Sequence, residues 1–210
     1  GSTYTSMFVN SNGRLTFNTG DTAHKESTSE LSEQPQIALL FDDLAPNVAG
    51  TVRYTQFTDR FLLEWINVPE YGATNANTFN ATLFADGRIE LAYYDISALD
   101  GIVGISPGAS SNPTPTDFTA TPVFSTAGVV PIFEQFSPTN TFDLQTHTVT
   151  LMQNAAGGFD VALAAIVLPP VISSVMFTHD TSKDLLVQNA IDVPVGYTLA
   201  KGPVGMTINA

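Results

Sequence analysis

The chain has 210 residues, 43% hydrophobic and 13% charged, which supplies a sizeable core and is too apolar for a solvated disordered chain. Its 20 acidic residues against 7 basic ones leave a net charge of −13, a field that repels phosphate backbones and anionic lipid and counts against nucleic acid as a partner. There are no cysteines, which removes disulfides, thiolate nucleophiles and Cys-ligated metals together.

The dominant pattern is short runs rich in Thr, Val, Phe and Tyr, set about 8–12 residues apart by turn residues, as in an all-β protein. Residues 4–9 and 14–17 flank Asn10-Ser11-Asn12-Gly13, whose Asn-Gly pair tolerates the positive φ angles of a tight hairpin turn. Residues 20–34 are polar and charged without strand periodicity and are expected as a loop, or at most one solvated helical turn. A compact apolar run, 36–41, is closed by Asp42-Asp43, and residues 51–57 and 61–65 alternate around Thr58-Asp59. Residues 78–84 and 88–94 enclose Ala85-Asp86-Gly87, a second hairpin, and 102–105 end this block.

Residues 107–122 carry four prolines among Ser, Thr and Asn and read as a long connection. Beyond it, 146–153 and 159–166 bracket a Gly157-Gly158 turn, and Pro169-Pro170 mark a boundary. The apolar stretch 161–176 is broken by those prolines and by Ser173-Ser174, short of the roughly 20 apolar residues of a membrane-spanning helix, so no span is expected. The organisation expected is therefore an antiparallel β-sandwich over residues 1–168, followed by a short C-terminal β segment, 171–210, too small to bury a core alone, which packs against the sandwich, begins a further module or serves as an inter-subunit strand.

Candidate sites are few. Asp42 and Asp43, at the end of an apolar strand, could offer carboxylates to a hard cation such as calcium; the alternative is one turn cap and one solvated acid. Asp86, Asp95 and Asp100 are weaker candidates for the same role. His24, His147 and His179 are scattered, without metal-binding spacing, and Gly101-Ile102-Val103-Gly104 reads as strand-edge glycines rather than a nucleotide loop. Glu64, Glu70 and Glu90 could supply a carboxylate pair for glycoside hydrolysis, a pairing common by chance in an acidic protein. Trp65, Tyr71, Tyr93 and Tyr94 could form a sugar-stacking platform, with core packing the stronger reading for Trp65.

The first hundred residues resemble the nidogen-like (NIDO-type) β-sandwich module. The resemblance is carried by the run from Tyr4 through Asn12-Gly13 to Phe17, then Ile37-Ala38-Leu39-Leu40-Phe41-Asp42-Asp43-Leu44 and Gly50-Thr51-Val52-Arg53-Tyr54. It continues in Arg60-Phe61-Leu62-Leu63-Glu64-Trp65, Leu83-Phe84-Ala85-Asp86-Gly87-Arg88-Ile89-Glu90 and Gly101-Ile102-Val103-Gly104-Ile105-Ser106. It implies an extracellular location, at the cell surface or in a matrix, and a scaffolding or adhesion role with no catalytic residue set; the absence of cysteine fits a bacterial or archaeal surface protein. The family pattern has a further strand before the position of Gly1, so the expectation is either an open sheet edge or a sequence that is a fragment of a longer chain. An open edge together with the apolar tail residues Leu185, Leu186, Val187, Val195, Tyr197 and Leu199 is what strand donation between subunits requires, and would build a filament. The expected function is thus a non-catalytic protein-contact module, with self-assembly or a neighbouring surface protein as partner. The alternative is a calcium-assisted, lectin-like binder of glycans.

Overall fold

The computed structural model describes residues 3–109 and 113–167, and the chain up to Ile166 forms one compact unit. The tail candidates Leu185, Leu186, Val187, Val195, Tyr197 and Leu199, with the rest of segment 171–210, lie outside the described residues.

The first hairpin is β1 (Phe8–Asn10) and β2 (Arg14–Thr16), and Gly13 takes the left-handed turn position at φ +68°. A four-residue helix, α1 (Thr28–Leu31), follows, its first turn capped by Ser27, whose Oγ accepts from Glu30 N at 3.1 Å. Then come β3 (Pro35–Phe41), β4 (Thr51–Gln56), β5 (Arg60–Val68), β6 (Asn77–Phe84), β7 (Ile89–Asp95) and β8 (Gly101–Pro107). Two strands unforeseen in the sequence, β9 (Val123–Ser125) and β10 (Ile132–Phe136), precede the hairpin β11 (His147–Gln153) and β12 (Phe159–Ala165).

Among the described residues these strands make two sheets, ordered β1-β2-β3-β8-β10 and β4-β5-β6-β7-β11-β12-β9, with every pairing antiparallel. They face each other across one core, as the sandwich pattern requires. The seven-stranded sheet turns Leu63, Trp65, Phe79, Ala81, Leu91 and Tyr93 inward and Glu64, Asn80, Thr82 and Glu90 outward, the alternation of a sheet wet on one face.

The five-stranded sheet is covered on both faces, which explains why β3 is an unbroken apolar run from Ile37 to Phe41 rather than an alternating one. Its outer face carries Ala38, Phe41, Ile102 and Phe133, and Leu31 of α1 completes that second cluster. The polar segment 18–34 is therefore not a free loop. Asn10 Oδ1 accepts from Asp21 N at 2.8 Å, Asn12 Nδ2 donates to Ala23 O at 2.8 Å, and Gln36 Nε2 donates to Glu30 O and Leu31 O at 2.7 and 3.0 Å. The strands hold the segment through buried polar side chains, a signal that apolar periodicity cannot carry.

Within β3 the pairing with β8 slips between Ala38 and Phe41, where one extra residue is accommodated. Leu39 N and Leu40 N both donate to Gly13 O, at 2.9 and 3.3 Å, and both side chains enter the main core. The bulge inverts the alternation beyond it: Phe41 joins the outer cluster, and the next side chain, Asp42, is buried at the end of the sandwich.

Candidate functional site

Three groups of acidic side chains converge among the described residues: Asp21, Glu30 and Glu33; Asp42, Glu70 and Asp100; Asp117, Glu134 and Asp143. In the first, Asp21 pairs with Arg14 at 3.0 Å. In the third, Thr119 Oγ1 donates to Asp117 Oδ1 and Asp143 Oδ2 at 2.9 and 2.6 Å, and Phe118 N donates to Glu134 Oε2 at 3.0 Å. In each of these two groups a protein group partners at least one acid, and neither leaves a buried carboxylate oxygen without a partner.

The second group differs. It draws one acid each from the end of β3, from the segment after β5 and from the residue before β8, and carboxylate oxygens of the three lie within 4.8 Å of one another. Asp42 is 3% exposed; its Oδ1 accepts from Asp43 N at 2.6 Å, while its buried Oδ2 has no hydrogen-bond partner. No ion pair among the described residues reaches Asp42, Glu70 or Asp100. Burial, with Glu70 and then Asp100 and Glu26 adding repulsion, pushes the Asp42 carboxyl up to about 8, against the opposing hydrogen bond from Asp43.

Each acid is positioned by its surroundings. Glu70 is clasped by Asn75, whose Oδ1 accepts from Glu70 N at 2.9 Å and whose Nδ2 donates to Glu70 Oε2. Asn77 anchors the approach to Asp100: its Oδ1 accepts from Ser97 N and Ala98 N at 2.8 and 2.9 Å, and its Nδ2 donates to Val68 O at 3.1 Å. Gly101, at φ +129°, brings the chain against β3, where a Cβ would lie 3.2 Å from Phe41 O. Tyr71 N donates to Asp43 O at 2.6 Å, so Asp43 lends its backbone to the site, and the carboxylate group includes Glu70 and Asp100 beside Asp42.

The other sequence candidates are dispersed. Glu64 receives Arg53 at 2.7 and 3.2 Å, and Glu90 is paired with Arg88, both on the outer face of the seven-stranded sheet. Asp86 caps the β6–β7 turn through Arg88 N at 3.0 Å, and Asp95 ends β7. Trp65 is buried against Phe79 at 5.4 Å between ring centres, and Tyr93 is buried with its hydroxyl donating to Leu39 O at 2.6 Å, so neither belongs to a surface platform. Tyr71 is 74% exposed and Tyr94 is also exposed. His24 lies in the anchored segment 18–34, His147 begins β11, and His179 lies outside the described residues. At the opposite end of the sandwich an open cleft of about 640 Å³ is lined by Tyr4, Phe17, Ile37, Ile89, Ile105 and Phe159.

A family model described as NIDO related matches residues 1–148, more than two thirds of the chain. The chain belongs to the NIDO-related family. The resemblance read from the sequence is borne out, and the match extends past the first hundred residues to the start of β11. No curated protein and no solved structure matched the chain. The NIDO-related family is generally extracellular. No helix among the described residues of this NIDO-related chain is long and apolar enough to cross a membrane.

Proposed function

We propose that the chain is a non-catalytic contact module of a cell-surface or matrix protein, and that it joins a protein partner, in the first place another copy of itself, by strand addition at β4. The observation that carries this reading is the edge position of β4. Its six residues, Thr51–Gln56, are paired on one side only among the described residues, and all except Val52 are exposed. An unpaired row of N–H and C=O groups of that length is a template for another strand. Tyr54, 68% exposed and stacked on Phe61 at 5.3 Å, gives an incoming side chain an aromatic surface to cover. The tail residues Leu185, Leu186, Val187, Val195, Tyr197 and Leu199 are the proposed donor, and head-to-tail donation that does not close generates a fibre.

Electron microscopy and light scattering of the full chain test this. Concentration-dependent oligomers or filaments are expected, and Tyr54→Lys, which puts a charge on the edge, should abolish them without changing the thermal midpoint. A monodisperse monomer at high concentration would overturn the reading. A second reading, glycan binding, is favoured by the exposed Tyr71 ring directly beside Glu70 in the acidic group. A saturable calorimetric signal with an oligosaccharide, lost in Tyr71→Ala, would support it over the contact module.

A further inference from the structure

We propose that Asp42, Glu70 and Asp100 hold one calcium ion, which ties together the end of β3, the segment after β5 and the entry to β8. The inference does not depend on which partner the module contacts. Two independent observations carry it. The first is geometric: three carboxylate oxygens from separate chain segments lie within 4.8 Å of one another, inside the roughly 5 Å that separates two oxygens on opposite sides of one Ca²⁺. The second is the buried Oδ2 of Asp42, which has no partner although its carboxylate is a member of the group. Leaving such an atom unsatisfied costs about 1–3 kcal/mol or more when it is charged, so native structures rarely do so without a ligand.

The chemistry selects the ion. The donors are hard oxygens throughout, with no imidazole in the group, which suits calcium or magnesium rather than zinc or copper. Magnesium demands near-ideal octahedral geometry at about 2.0–2.1 Å and keeps most of its water, whereas calcium accepts six to eight irregular oxygens at about 2.3–2.6 Å. A fixed, half-buried arrangement built from a bulged strand, an Asn75-clasped glutamate and an Asn77-anchored loop favours the larger and more tolerant ion. Glu70 and Asp100 are only half-buried, so water completes the shell. The other two acidic groups serve as internal controls, since neither contains a buried carboxylate oxygen without a partner.

Calorimetric titration of CaCl₂ into the chelator-treated full chain should show one site, with the weak affinity, about 10⁻⁴–10⁻³ M, of extracellular calcium modules. A hundredfold excess of calcium over Kd should raise the thermal midpoint by about 5–10 °C, and the same concentration of MgCl₂ should raise it far less. Asp100→Asn, half-buried and at a loop position, should weaken calcium binding at least tenfold. Asp42→Asn should abolish the calcium-dependent shift and, by removing repulsion, raise the midpoint of the ion-free protein. Glu33→Gln, in the Arg14-neutralised group, should leave calcium binding unchanged. No heat and no midpoint shift with calcium would overturn the proposal, as would full retention of both in Asp100→Asn. A folded Asp100→Asn chain keeps the test decisive if Asp42→Asn fails to fold.

Discussion

The guanidinium of Arg14 lies 3.8 Å from the centre of the Phe41 ring, both side chains being fully buried under segment 18–34. Arg14 Nη1 donates to Gln36 Oε1 at 3.2 Å, and its Nη2 donates to Ala23 O at 3.2 Å and pairs with Asp21 at 3.0 Å. Burial lowers its pKa and Asp21 opposes that shift, so the cation is held inside by its partners. Arg14→Met keeps the apolar stem but strands the Asp21 carboxylate and Gln36 Oε1, and should destabilise by about 3–5 kcal/mol, read as a lower urea midpoint. The loss should be accompanied by early proteolysis within 18–34 while the rest of the sandwich stays intact.

Gly13 should tolerate no side chain. A Cβ there would sit 2.0 Å from Leu40 O, and at φ +68° the backbone conformation itself disfavours an L-residue. Relieving the clash means moving the bulge that presents Asp42. Gly13→Ala should therefore cost about 2–4 kcal/mol in denaturant unfolding and also weaken any calcium response, whereas Gly87→Ala, with nothing near its Cβ, should cost about 1 kcal/mol.

Glu134 should give the protein an acid-favouring stability slope. It is 2% exposed, and burial, with Asp143 and Asp117 adding repulsion, pushes its carboxyl up to about 7 against the hydrogen bond from Phe118 N. The native state therefore keeps a proton that the unfolded chain has already released. Stability from this group is complete below the ordinary glutamate value near 4.3 and is lost as pH rises towards 7, by up to about 3 kcal/mol. Tyr93, also facing Glu134, has its own pKa raised further by burial and stays neutral over this window. In Glu134→Gln the difference from the parent chain, followed by thermal unfolding from pH 4.5 to 7.5, should widen with pH; parallel profiles would contradict this.

The sequence was readable where local chemistry decides the outcome. Asn12-Gly13 and Asp86-Gly87 both form the hairpins their positive φ angles allow, at +68° and +90° for the glycines. It was opaque where burial involves polar groups. β10 reads Ile-Phe-Glu-Gln-Phe between Pro131 and Pro138, and its central Glu134 breaks the apolar pattern although it is buried. The proline-rich connection hides Phe118, a core residue stacked over Phe124. The acidic group shows the same limit: Asp42, and more weakly Asp100, could be suspected from the sequence, but their convergence with Glu70 comes only from the topology and from a bulge that no motif announces.

The position of β12 bears on how the module would carry mechanical load. It is not a sheet edge but is flanked by β11 on one side and β9 on the other, and it is the last strand of the compact unit. Antiparallel hydrogen bonds run perpendicular to their strands, so tension along β12 shears both ladders at once instead of peeling them bond by bond. The C-terminal strand of this unit is therefore reinforced against extraction.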